Sequence, residues 1–322
     1  MRILYEKTLD GVCLQRCYGL DKILEIPGTV DGMPVTEFAG YLFSDTVRRR
    51  EPPPCEYLGE PELCGSRVEE IILPDTIRKV GAYGFYNCSG LKRLSCSSAV
   101  EDWGAGVFTG CTGLRCLDIR VAEGRKSCFK DILSELHQTL SVNYRSGSGT
   151  LLAKLIFPEF FEESVENTPA RILETHMHGC GHQYRYCFRQ SEFQFLWYDS
   201  LFPNVQVQED EELVIRLALG RLRFPYGLAE EHRTAYREYL EAHREEAAAG
   251  AMRRESMEEL RWVTEQLAYD RGELAQMIAT AGKLGDGAML SYLMDFRHKK
   301  FDGAGEDGHE TERPVGKRRF EL

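Results

Sequence analysis

The sequence contains no run of about eighteen apolar residues, so it offers no helix long enough to cross a bilayer. It also lacks an excess of positive charge. With 40 basic against 51 acidic residues, the formal net charge of −11 works against capture of a polyphosphate backbone, and nucleic acid is not an expected partner. The catalytic signatures are missing as well. There is no GxSxG elbow, no GxxxxGK[ST] loop, no HExxH pair and no GxGxxG opening a helix after a strand, so no cofactor is implied. Eleven cysteines, an odd number, do not form an obvious disulfide framework in a chain of 322 residues. The N-terminal MRILYEKTLDGVC carries charges where an export signal needs an apolar stretch, so the expected location is cytoplasmic and the thiols are expected to be reduced.

What is present is a repeat. VEEIILPDTIRKVGAYGFYNC, starting at Val68, and LKRLSCSSAVEDWGAGVFTGC, starting at Leu91, carry the same landmarks 23 residues apart: Ile77 and Val100, Gly81 and Gly104, Phe85 and Phe108, Cys88 and Cys111, Leu91 and Leu114. A period of this length marks a solenoid whose units bury their apolar faces only by stacking. Within each unit, alternation sends Ile71 and Leu73, Leu94 and Cys96, and Leu117 and Ile119 inward. The same alternation turns Glu70, Ile72, Arg93, Ser95, Cys116 and Asp118 outward as one face. Cys88 and Cys111 stand at equivalent positions, where a small and nearly apolar side chain fills the interior.

The joint pattern of Ile77, Gly81, Phe85, Cys88, Leu91 and Leu94 resembles the bacterial BspA-type leucine-rich repeats, over about residues 1–120. That resemblance implies a parallel sheet on one face and a non-catalytic role in binding a protein or peptide. It also permits a surface adhesin.

Three further segments complete the first part of the chain. ILYEKTLDGVCLQRCYG reads as a hairpin around Asp10-Gly11 that caps the first repeat. ILEIPGTVDGMPVTEFAGYLF resembles a further repeat, with Phe43 in the position of Phe85 and Phe108. Residues 46–66 hold three arginines, four prolines and two cysteines and read as a projecting loop; Cys55 and Cys64 are too far apart for a zinc knuckle. Beyond Ile119, KDILSELHQTL reads as a helix through Leu140, and SVNYRSGSGTLLAKLIF as a hairpin, together forming a C-terminal cap.

The expected organisation is α+β: a repeat domain over 1–150, a mixed and then helical repeat-like domain over 151–301, and a charged tail over 302–322. In the helical part, Ser256 with Glu259, Asp270 with Glu273, and Asp286 read as helix starts, implying short antiparallel helices in a stack.

One cluster has residue types suited to metal or nucleophilic chemistry. His176, His178, Cys180 and His182 alternate, and on a strand they would share one face with ligands that zinc prefers. Residues i and i+2 of a strand stand about 6–7 Å apart, however, so four in a row do not converge on one ion, and Gly179 and Gly181 imply a bend. The alternatives are a metal-dependent or cysteine hydrolase centred on this segment, or a packed polar segment with surface histidines.

Overall fold

The computed structural model describes residues 1–48, 59–122, 124, 127–167 and 172–301. The chain opens with β1 (Arg2–Lys7) and β2 (Val12–Tyr18), an antiparallel hairpin closed by Thr8 N–H donating to Gly11 O at 2.9 Å. There follow β3 (Ile23–Glu25), β4 (Thr29–Val30), β5 (Met33–Phe38), α1 (Asp45–Arg48), a 3-10 turn (Gly65–Arg67), β6 (Glu70–Ile72) and β7 (Lys79–Val80). Next come β8 (Arg93–Ser97), β9 (Asp102–Trp103), β10 (Cys116–Arg120), α2 (Phe129–Glu135), β11 (Leu140–Arg145) and β12 (Leu151–Phe157). These strands form two sheets, ordered β12-β11-β10-β8-β6-β3 and β1-β2-β5-β7-β9, with β4 paired to β5. The strands from β3 to β11 in the first sheet are parallel, so the chain winds as a solenoid that adds one strand to each wall per coil.

Register explains the sequence period. Leu24, Ile71, Leu94, Leu117 and Val142 are directly opposed from coil to coil, and all are buried. On a third side of the coil Phe43, Phe85 and Phe108 stack, with centroids 5.4 and 5.5 Å apart and planes within 9° and 15°. Removing such a ring from water contributes about 1.5–3 kcal/mol. The Cys88 thiol donates to Phe43 O at 3.1 Å and the Cys111 thiol to Phe85 O at 2.9 Å, so the recurring cysteine fills volume and also satisfies a carbonyl one coil back. Gly81 and Gly104 recur because the coils touch backbone to backbone: a Cβ would lie 2.4 Å from Gly40 N at the first and 2.5 Å from Ala82 N at the second.

The C-terminal cap differs from expectation in its helix. The α2 helix ends at Glu135, and Leu140 begins β11 instead of closing a longer helix. Two side chains here replace the coil that would come next. Glu135 accepts from Phe108 N–H at 2.9 Å, and Gln138 Nε2 donates to Cys111 O and Leu114 O at 3.1 Å each. Leu136 and Leu140 are buried all the same, which is why their spacing reads as helical.

The segment 46–66 is only partly described; Arg49, Arg50 and Cys55 lie outside the described residues. Its C-terminal end is packed and does not project. Leu63 is buried, its N–H donates to Cys17 O at 2.8 Å, and Gly19 N–H donates to Pro61 O at 3.1 Å, so this stretch runs along β2.

After β12 come β13 (Phe161–Asn167) and β14 (Ile172–His178), paired antiparallel, then α3 (Gly181–Arg185), β15 (Phe188–Arg189), β16 (Glu192–Phe193), α4 (Phe195–Ser200), α5 (Phe202–Gln208), α6 (Glu211–Arg223) and α7 (Glu230–Ala242). The chain divides into two compact units at residues 239 and 240, not near 150. The reason is visible at β12, which pairs along its length with β11 and is covered by α6; a Cβ on Gly220 would lie 2.8 Å from Lys154 O. Tyr198 Oη accepts from Ile156 N–H at 2.9 Å and donates to Ile156 O at 2.8 Å, which satisfies two backbone groups of the edge strand.

The second unit is helical: α8 (Arg244–Arg253), α9 (Met257–Gln266), α10 (Arg271–Leu284) and α11 (Gly287–Phe301). The three expected starts are caps. Ser256 Oγ accepts from Glu259 N–H at 3.3 Å, Asp270 and Glu273 form a reciprocal capping box, and Asp286 Oδ1 accepts from Met289 N–H at 3.0 Å. The Glu259 carboxylate is engaged by Arg254 at 2.7 Å. Gly285, at φ +76°, ends α10 in the left-handed conformation, so the chain reverses at once into α11. The expected tail, 302–322, lies outside the described residues.

Candidate functional site

Strand pairing builds the outward face in rows. Glu70, Arg93 and Cys116 are opposed, as are Ile72, Ser95 and Asp118. The structure extends each row beyond the predicted six. The first gains Ile23 and Ser141, and the second Glu25 and Asn143, because β3 and β11 join the same sheet. All six predicted residues are half-buried.

The charges of this face are held in ladders. Asp118 accepts from Arg93 Nη1 at 2.9 Å, Asn143 Nδ2 at 3.0 Å and Arg145 Nε at 3.0 Å, so one carboxylate ties three adjacent strands. Arg120 holds Asp75 through both guanidinium ends, at 2.9 and 2.6 Å. At the start of the strands Glu69 lies between Lys22 at 2.6 Å and Lys92 at 2.7 Å, and these two ammonium groups lower its carboxyl to about 2. The Cys116 thiol is pushed up by burial, the opposite of an activated nucleophile.

Where the strands end, the face is concave. A cavity of about 680 Å³ is bounded by Glu25, Ile72, Asp75, Ser95, Asp118, Arg120 and Arg145, with Pro27 and Pro74 among the other lining residues. Ile72, Ser95 and Asp118 belong to the predicted set; Glu70, Arg93 and Cys116 stand on the same sheet outside the cavity. Arg120, Arg145, Asp75 and Glu25 are additions from the structure. Continuing the alternation from Asp118 by two residues reaches Arg120, so that signal is present in the sequence, whereas Asp75 sits in the turn after β6 and no periodicity marks it. At the far side, Arg216 Nη2 from α6 donates to Ser141 Oγ at 3.0 Å and frames the face.

The histidine-rich segment does not form the one-faced row. β14 ends at His178, Gly179 turns at φ +86°, and Cys180 precedes α3, so the four side chains belong to a strand, a turn and a helix. His178 pairs with Glu163 at 2.9 Å and stacks on Phe161, His176 faces Glu174 at 3.8 Å, and His182 packs against Phe160 and Tyr186. The Cys180 thiol donates to Glu209 at 3.2 Å and is raised to about 12 by burial first and by that carboxylate second. Among the described residues no group of three or more His, Cys, Asp or Glu side chains is arranged to hold a metal ion. The bend implied by Gly179 and Gly181 is what separates them.

Residues 56–158 match the family model of the BspA type leucine rich repeat region, six copies. Within those residues the solenoid's repeats are similar to this kind. The match covers about a third of the chain; it starts later than residue 1 and continues past 120 through β11 and β12, where side chains and an antiparallel strand take over from the repeat. A search of curated proteins finds no match. Among solved structures, a leucine rich cell surface protein from Faecalibacterium prausnitzii A2-165 is similar at 14% identity with a TM-score of 0.26, over 46% of this chain and 42% of that one. The chain thus spans less than half of that protein's length.

Proposed function

We propose that the protein is a non-catalytic binding module whose strand face takes a segment of another protein. The observation that carries this reading is the cavity over Ile72, Ser95 and Asp118, whose floor is a paired sheet and whose charges are already oriented by the Asp118 and Arg120 ion pairs. Preorganised side chains on a rigid sheet lose little entropy on binding. The exposed Arg120–Asp75 pair contributes only about 0–1 kcal/mol to the fold, so a partner's carboxylate can take the place of Asp75 at small cost. The thiol donors Cys88 and Cys111 need their hydrogens, which supports a compartment that keeps cysteine reduced. No observation favours hydrolysis: Cys180 is bound to a carboxylate and has no imidazole partner among the described residues.

A photoreactive side chain at position 95 is expected to cross-link a defined partner in cells, and one at Glu101, outside the cavity, to give none. Arg120→Glu should then abolish the cross-link while the melting temperature stays within about 4 °C, the shift expected for roughly 1 kcal/mol. Equal cross-linking from both positions would remove the strand face from consideration.

A further inference from the structure

The ribbon of β13 and β14 is wet on both faces. The side chains of residues 161–165 and 174–177 are all exposed, among them Phe161, Val165 and Met177 at 58%, 45% and 42%. Seven residue pairs join the two strands, from Phe161 with His178 to Asn167 with Ile172. One face is tied where Glu163 meets His178 Nε2 at 2.9 Å and the His178 ring stacks on Phe161 at 4.5 Å. Among the described residues neither strand pairs with a third, so the outer edge of each is open. At about 3.3 Å per residue, such an edge is about 23 Å long. A two-stranded ribbon with its faces in water is marginal, and a third strand is what makes such a sheet stable.

Charge decides what can fill the edge. Residues 161–178 contain four glutamates against one arginine, Arg171, which lies outside the described residues. Three of the four, Glu162, Glu163 and Glu166, belong to β13. A second copy added edge to edge would set these carboxylates against its own, and like charges directly opposite destabilise a pair of strands. Edge charges of one sign guard a sheet against pairing with itself in this way. A basic strand meets the opposite sign. Alternation fixes its order: Phe161, Glu163 and Val165 share one face of the ribbon, and Glu162 and Ser164 share the other. The complementary antiparallel strand has apolar residues beside Phe161 and Val165 and lysine or arginine beside Glu162 and Glu163.

We propose that the outer edge of β13 takes a basic, extended segment of another protein as the third strand of this sheet. Main-chain hydrogen bonds along the edge supply the affinity, and the glutamates choose the partner. This stands apart from the strand-face reading. NMR titration of the deuterated full chain with the blocked peptide TVTKKFT, whose residues fall opposite positions 166 to 160, tests it. The β13 amides are expected to shift, to saturate with a Kd in the millimolar range and to exchange more slowly in the complex. The peptide TVTEEFT, which reverses the charge, and a fully N-methylated TVTKKFT, which keeps the charge and lacks the donors, should each bind about tenfold more weakly or less. Glu162 has no ion pair among the described residues, so Glu162→Lys should leave the melting temperature unchanged while weakening TVTKKFT about threefold or more. Equal binding of either control peptide, unaltered affinity in Glu162→Lys, shifts centred outside β13, or no saturation below about 20 mM would overturn the proposal. So would β13 edge amides already protected in the free chain: protection at every concentration would mean that the chain fills its own edge, and protection growing with concentration that a second copy does.

Discussion

The coils from β5 to β11 and the segment from Pro158 to Tyr239 bury their backbone polar groups by opposite means. In the coils each donor finds an acceptor one coil on: Phe43 N–H meets Gly84 O at 2.8 Å and Phe85 N–H meets Val107 O at 3.0 Å. The later segment relies on single side chains. Arg185, buried and raised over the Phe160 ring at 4.9 Å, donates to the carbonyls of Leu136, Pro158, Gly181 and Gln138. Arg221 binds Asp199 and the carbonyls of Phe224 and Tyr226, and Tyr236 Oη donates to Asp199 at 2.9 Å. A stacked backbone distributes the work over many weak, equivalent bonds, and a hub concentrates it in one residue.

The sharpest way to break this comparison is to remove a hub. Arg185→Met leaves four carbonyls without their donor and is expected to cost about 3–5 kcal/mol, read as a fall in melting temperature by calorimetry. Burial lowers Arg185 to about 10, and the four carbonyls with the Phe160 ring are what face its charge. A coil substitution should cost less. Gly104→Ala forces a Cβ onto the backbone of Ala82 and is expected to cost about 1–3 kcal/mol, with the loss measured by denaturant unfolding. If Gly104→Ala proved the costlier of the two, the hub would not be the heavier element.

Smaller effects refine the same contrast. Tyr198→Phe keeps the packing and deletes only the hydroxyl on Ile156, so about 1–2 kcal/mol is expected, together with faster amide exchange at Ile156. The smallest concerns Glu69, which is half-buried between its two lysines. Its carboxyl is depressed from 4.5 to about 2, so the contribution of the Lys22–Glu69–Lys92 ladder is present above about pH 4.5 and is lost as pH falls toward 2. An NMR titration should give that low midpoint, and Lys92→Gln should raise it.

The same contrast accounts for what could be read from the chain beforehand. Phe43, Phe85, Phe108, Cys88 and Cys111 are visible because coil stacking repeats one environment, and the repeated environment selects the same residue. The face of Glu70, Ile72, Arg93, Ser95, Cys116 and Asp118 follows from alternation, yet the cavity needs Arg120, Arg145, Asp75 and Glu25, which only the meeting of separate turns assembles. Arg185, Asp199 and Arg221 look like ordinary surface charges in sequence, since nothing in their spacing shows that Arg185 reaches the carbonyl of Leu136, 49 positions away, or that Arg221 and Asp199, 22 positions apart, pair with each other. The His176, His178, Cys180 and His182 alternation misleads for the converse reason: a glycine turn within it breaks the period that would have aligned them.

By itself the sequence determined the winding of the solenoid, because each 23-residue unit has an apolar side that only another copy can cover. It also determined the helix starts at Ser256, Asp270 and Asp286, where the satisfying group is local. The end of the solenoid, the place where the compact units divide and the strand-face cavity were decided only by tertiary structure. Each depends on groups far apart in the chain, and whether a carboxylate there faces a partner or an open pocket is set by how the chain closes on itself.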